Sequence, residues 1–179
     1  MGIIFVGGVH GVGKTTSCKL AATRCRVSHY SASSLISREK ESAISKTGKS
    51  VDDIEENQGL LIQAANRLFG QSREPAILDG HFTLINGSGD IERVSSEIFF
   101  QLPIGAIVVY CDTPQAIADR ISERDSQDVN VDFIGRHQEI ELEQAQLVAR
   151  KLGVPFSSLK AFDESGLVCS LLLCREDKP

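Results

Sequence analysis

The sequence predicts an α/β fold built on a parallel sheet, and three observations carry the prediction. Four short apolar runs are separated by helical patterns, the alternation that βαβ units produce. The apolar runs do not alternate with polar residues, as expected of strands covered on both faces. A chain of 179 residues with 41% hydrophobic and 24% charged side chains also suffices for one domain with its own core, and excludes disorder, collagen-like repeats and coiled coil. Residues 1–179 are therefore read as a single domain, with no internal repeat or interdomain linker.

The first strand covers residues 2–7 (GIIFVG), and the helix Lys14–Cys25 follows after a glycine-rich turn. A weaker β run covers 27–30. The stretch 42–50 (SAISKTGKS) is polar and broken at Gly48, so no element is assigned to it. A longer helix over 52–69 carries Ile54, Leu61, Ala64, Ala65 and Leu68 at helical spacing, and Asp52, Asp53, Glu55 and Glu56 suit its positive end. Ala76–Asp79 (AILD) is the next buried strand, and the turn signal at 86–90 (NGSGD) between 82–85 and 91–94 predicts a small hairpin. After the strand at 105–111 (GAIVVYC), Asp112 and Thr113 cap a helix over 113–124 whose first turn contains Pro114. The polar patch 122–130 is the candidate mobile segment. It leads into Val131–Leu152, where Phe133, Ile134, Ile140, Ala145, Val148 and Leu152 form one buried stripe that stops at Gly153. The last strand is 154–159 (VPFSSL), and the apolar run 167–174 (LVCSLLLC) reads as a helix or strand closing the sheet.

Nineteen basic against twenty-four acidic side chains give a net charge of −5, the opposite of a nucleic-acid footprint. No apolar run approaches the roughly 18 residues of a membrane span, and the first residues lack a leader pattern, which points to the cytoplasm. The five cysteines, Cys18, Cys25, Cys111, Cys169 and Cys174, form no C-x-x-C pair and read as reduced, small core residues.

The sharpest signal is Gly8-Val9-His10-Gly11-Val12-Gly13-Lys14-Thr15, a full match to G-x-x-x-x-G-K-[ST] with a strand before it and a helix after it. The glycines let successive backbone N–H groups turn toward phosphate oxygens, and the helix aims its positive end at the same point. Lys14 then meets the β and γ phosphates as a point charge, and the Thr15 hydroxyl is the expected ligand to Mg²⁺. His10 contributes backbone, and Thr16 either reaches the α-phosphate or caps the helix. The implied cofactors are ATP and Mg²⁺.

Asp79 closes an apolar run in the manner of the acid that assists a phosphate-loop magnesium site. Asp112 closes another and competes for the role, although the following Thr113-Pro114 makes it the better helix cap. Arg120 and Arg124 lie four apart, hence on one face of a helix, with Arg136 beyond the polar patch. Mobile arginines closing over a transferring phosphoryl group are one reading. Local pairing with Asp119, Glu123, Asp125 or Asp128 is the other. Lys46, Lys49 and Arg67 read as a solvated face.

In order, GVHGVGKTT, HYSASSLISR, ILDGHF and IVVYCDTPQAIADRISERD resemble the adenylate kinase-type nucleoside monophosphate kinases, with the archaeal type most similar. The resemblance covers roughly 1–160 and implies a five-stranded parallel sheet with helices on both faces. It also implies a helical acceptor region over about 31–72 and a lid over about 120–136. By the same resemblance, Ser31 approaches the acceptor nucleotide, Arg38 binds its phosphate, and Asp79-Gly80-His81 matches a D-x-H in which the acid organises Mg²⁺. His81 is either an acceptor-facing ligand or a hydrogen-bonded wall residue. Where common bacterial members carry an arginine, Phe82 and Thr83 stand here.

The expectation is an enzyme that passes the γ-phosphate of ATP to a nucleoside monophosphate. Lys14, Arg120 and Arg124 act on the moving group, Ser31, Arg38, Asp79, His81 and Arg136 line the acceptor side, and Thr15 and Asp79 hold the metal. The alternatives are a kinase for a nucleoside or other small metabolite, and a nucleotide-dependent switch or assembly factor with a protein partner. The other expected partner is a small-molecule acceptor, with no nucleic acid and no membrane.

Overall fold

The computed structural model describes residues 2–47, 54–69, 74–126 and 128–176. Strand β1 (Ile3–Gly7) is buried at every position and leads through the glycine-rich loop into α1 (Lys14–Cys25). Strand β2 (Ser28–Ser31) runs directly into α2 (Ala32–Thr47), and α3 (Ile54–Phe69) packs beside α2. Then come β3 (Ala76–Asp79) and the antiparallel hairpin of β4 (Thr83–Ile85) and β5 (Ile91–Arg93). The short α4 (Ser96–Phe100) precedes β6 (Ile104–Cys111), α5 (Pro114–Asp125), α6 (Val131–Leu152), β7 (Phe156–Lys160) and α7 (Glu164–Glu176).

Five strands form one parallel sheet in the order β2-β3-β1-β6-β7. Chain order therefore reverses at β1, which lies between β3 and β6. In such sheets ligands bind outside the carboxyl ends of the strands at this reversal. The register aligns Ser31 with Asp79 and Asp79 with Val6, so the ends of β2, β3 and β1 reach the same level.

The central strands feed two cores. Ile3 and Phe5 face a layer with Leu61, Ala64, Phe99, Ala145 and Val148, whereas Ile4 and Val6 face Cys18, Ile117, Leu167 and Leu171. Thus α3, α4 and α6 cover one face, and α1, α5 and α7 cover the other. A sheet buried on both sides explains the unbroken apolar runs.

Several expectations change. The polar stretch at 42–50 is helical as far as Thr47, continuing a helix that docks on the core through Ala32, Leu35 and Ile36 in its first turns. The break at Gly48, Lys49 and the helix start at Asp52 and Asp53 lie outside the described residues. The tail run is a helix, not a strand. The cap of α5 is Thr113, whose hydroxyl accepts from the Ala116 N–H at 3.3 Å, so Asp112 is released from that role. Thr16 does not cap α1, since the helix starts at Lys14 with Gly13 as cap. Arg67 is exposed, as read from the sequence, and also pairs with Glu39, tying α3 to α2. The stripe of α6 also differs: with Ile134, Ala145 and Val148 it buries the polar His137, Glu141 and Gln144. Cys18, Cys111 and Cys169 are free thiols, but only Cys18 is buried as a core residue; Cys111 is half-buried and Cys169 exposed.

Candidate active site

Strand β1 ends at Gly7, and the chain curls back on itself before α1 begins. Gly11 and Gly13 take φ values of 80° and 94°, a left-handed conformation that side-chain-bearing residues adopt at a cost. Gly13 caps α1 with no side-chain hydrogen bond, so the first N–H groups of the helix are not claimed by a capping side chain. A helix end left in this state suits an anion.

Val9, His10, Gly11 and Gly13 of the loop line a cavity of about 270 Å³, to which Lys14, Thr15, Thr16, Arg120, Arg124 and Phe162 also contribute. Lys14 is only 7% exposed, and burial lowers its pKa against the opposing pull of Glu141 and Asp79. Its Nζ donates to His81 Nε2 at 3.2 Å. Burial first, and then the Lys14 charge, hold His81 well below the usual imidazole range, so the ring is neutral and can accept. His81 lines neither this cavity nor the one against β2, and holds Lys14 through this hydrogen bond.

Arg120 does not swing freely. Its Nε donates to the Gly11 carbonyl at 3.1 Å, its Nη2 pairs with Asp112 at 2.7 Å, and its guanidinium lies 5.1 Å from the centre of the Phe162 ring. Asp112 is kept below its ordinary value by the Arg120 and Thr113 hydrogen bonds, which outweigh its partial burial. Arg124 contacts His10 Nε2 and pairs with Asp125, on the same cavity. Burial and the nearby Arg124 lower the His10 pKa. Arg136 points to solvent from α6 and lines neither this cavity nor the next one.

A second cavity, of about 550 Å³, opens against β2 and the first turns of α2. Ser31, Ser33, Ser34, Arg38 and His29 line it, and Thr15 belongs to both cavities. The expected acceptor residues Ser31 and Arg38 are therefore brought together. At its floor His29 Nε2 meets Asp79 Oδ2 at 2.6 Å. Thr15 is exposed and Asp79 is a buried carboxylate at the end of β3, and both offer hard oxygen donors of the kind Mg²⁺ takes.

Sequence reasoning missed the clamp behind the loop. Glu141, fully buried on α6, accepts the Gly8 N–H at 2.9 Å, the Phe82 N–H at 3.0 Å and the Thr83 hydroxyl at 2.5 Å. The His137 Nε2–H in turn donates to Thr83 Oγ1 at 2.9 Å. Phe82 also fills the space above Gly7, where a Cβ would lie 2.5 Å from the ring. The one signal available was a polar residue recurring on the apolar face of a helix, at His137, Glu141 and Gln144.

His137 gives the clamp a pH dependence. Burial, and then Lys14, lower its pKa from 6.5, so below that pH the unfolded chain takes a proton that the folded one refuses. The unfolded state then binds more protons, and this group's contribution, present above 6.5, is lost as pH falls through the lowered folded value. The expected result is a lower urea midpoint at about pH 5.5 than at about pH 7.5, with a smaller difference in His137→Gln.

The family described as AAA domain matches residues 7–134. The structure is similar to a gluconokinase from Sinorhizobium meliloti 1021, with a TM-score of 0.55 and 18% identity over 97% of this chain and 90% of that one. It is also similar to a shikimate kinase from Acinetobacter baumannii in complex with shikimate, with a TM-score of 0.55 and 16% identity over 99% and 96% of the two chains. For the tunicamycin resistance protein of Deinococcus radiodurans the TM-score is 0.63, with 14% identity over 98% and 95%. No curated protein matches in sequence. These likenesses carry the fold. They narrow the expected resemblance to a P-loop kinase-like chain, without singling out the adenylate kinases. Among the described residues no helix is long and apolar enough to cross a membrane.

Proposed function

From the premise that this chain belongs to the AAA domain family, with a P-loop kinase-like fold, we propose that it transfers the γ-phosphate of ATP to a small-molecule acceptor. The observation that carries the reading is the pair of cavities meeting at Thr15, one wrapped by the phosphate loop and the other by β2 and α2. The loop N–H groups and Lys14 hold the β and γ phosphates, and Arg120 with Phe162 supplies a flat, cationic wall for the base. Thr15 and Asp79 are the residues that would hold Mg²⁺, which neutralises phosphate charge when bound. Arg124 adds positive charge at the cavity rim. No side chain need be a strong base, since phosphoryl transfer rests on positioning and charge.

The acceptor is a compact, hydroxyl-bearing metabolite with an anionic group. Ser31, Ser33 and Ser34 offer hydroxyl partners and Arg38 offers a fork for carboxylate or phosphate. The names of the gluconokinase and shikimate kinase neighbours are consistent with such a substrate class. A nucleoside monophosphate is the second reading, favoured by Arg38 and the 550 Å³ of space. Against it, Phe82 and Thr83 are buried, at 0% and 1% exposure, and present no cation to an acceptor phosphate.

The test is product formation with ATP and Mg²⁺ against a panel of sugar acids, hydroxy acids, nucleosides and nucleoside monophosphates, with an acceptor-free control. Turnover on one acceptor at roughly 1–100 s⁻¹ supports the proposal and names the class. Slow ATP hydrolysis unchanged by every acceptor overturns it in favour of a nucleotide switch.

A further inference from the structure

Cys18 from α1, His29 from β2 and Asp79 from β3 converge beneath the two cavities, with one ligand atom from each all within 4.8 Å of one another. Among the described residues this is the one group of three metal-competent side chains so placed. The sites are stiff: Cys18 is 0% and Asp79 3% exposed, and His29 is held to Asp79 at 2.6 Å. Phosphoryl transfer gives Asp79 a use but none to the thiol or the imidazole, because Mg²⁺ prefers oxygen.

We propose that Cys18, His29 and Asp79 form a binding site for a borderline-soft divalent cation of the zinc type, with the fourth position open to the acceptor cavity that His29 lines. The donor set is one sulfur, one nitrogen and one oxygen, the mixture that zinc accepts and magnesium does not. Three protein ligands and an open position are the pattern of an exchangeable rather than a closed structural site. Bonds of about 2.0–2.3 Å set tetrahedral donors about 3.2–3.8 Å apart, so His29 and Asp79 part by about 1 Å as the ion enters between them. On ligation the Cys18 S–H bond breaks, a sulfur–metal bond forms and the proton leaves to solvent, with no redox change. Occupancy withdraws Asp79 Oδ2 from His29 and commits the carboxylate to the new ion. The site shares Asp79 with the proposed Mg²⁺ position, so the two ions compete for that carboxylate, but its three donors are in place whether or not the proposed transfer occurs.

The experiment is titration of the full-length, reduced protein with Co²⁺, followed by visible and near-ultraviolet absorption. The expected result is one equivalent bound, with thiolate-to-cobalt charge transfer and tetrahedral ligand-field bands, displaced by Zn²⁺. Cys18→Ser and Cys18→Ala lose the charge-transfer band while circular dichroism stays native, and His29→Asn weakens binding at least about tenfold. Cys25→Ser, Cys111→Ser and Cys169→Ser leave the spectrum unchanged. Wild-type protein without the band, or a folded Cys18→Ser that keeps it, overturns the proposal.

Discussion

Lys14→Ala is expected to lower kcat by about 10²–10³ or more, the range seen when one preorganised charge-stabilising donor is removed. In free-energy terms this is about 3–4 kcal/mol of transition-state stabilisation. The wild-type side chain is buried, at 7% exposure, and held by His81 at 3.2 Å, so its position is fixed before nucleotide arrives. Burial makes the loss larger than an exposed lysine would give, because the charge acts where little water screens it. Fold stability should move little. Lys14 bears a desolvation cost that lowers its pKa, and its removal lifts that cost, but it also takes away the charge that offsets the burial of Glu141, whose three hydrogen-bond donors remain. Steady-state kinetics with the best acceptor, beside thermal melts, check both halves; near wild-type kcat in Lys14→Ala would sink the proposed reaction.

Glu141→Ala carries the largest expected loss of stability. The substitution strands two buried backbone N–H groups, those of Gly8 and Phe82, and deprives Thr83 and His137 of the end of their chain. Each unsatisfied buried group costs about 1–3 kcal/mol, which puts the total at about 3–5 kcal/mol. For a chain of this size the melting temperature falls by about 10 °C or more. Glu141→Gln retains an acceptor oxygen and should lose less. The wild-type carboxyl is itself pushed above its ordinary 4.5 by burial, with the three donors and Lys14 pulling back. A denaturant series on the three proteins measures this, and equal midpoints for Glu141→Ala and wild type would show that the clamp holds nothing.

The legible and illegible parts of this molecule differ in how far their partners lie along the chain. Residues 8–15 could be read because every group that makes the cradle is contiguous, and the helix that follows is fixed by the same letters. Thr113 and Pro114 were legible for the same reason, since a cap acts within one turn. Glu141 was not: its partners Gly8 and Phe82 are 133 and 59 residues away, and nothing local distinguishes a buried carboxylate from a solvated one. The pairing of His29 with Asp79, 50 residues apart, is equally invisible before the strands are put side by side. Helix α2 failed on a different ground. Its middle reads SREKES, and the apolar residues that anchor it, Ala32, Leu35 and Ile36, sit together in the first turns, so no periodic signal runs through the middle.

Arg120 marks the limit of reading roles from spacing. Its distance of four from Arg124 set both on one face, yet the two do different things: Arg120 is fastened to Gly11, Asp112 and Phe162, and Arg124 stays with His10 and Asp125 at the rim.

The strand order has an evolutionary consequence. Strand β2 is an edge strand paired with β3 alone, and its residues are only half-buried, whereas β1 at the centre is wholly buried. The proposed acceptor pocket therefore stands on the periphery, and the loop proposed to grip phosphate stands on the keel. Changes at Ser31, Ser33 or Ser34 touch little that the core depends on, so descendants of this scaffold can drift from one substrate to another while the phosphate grip stays put.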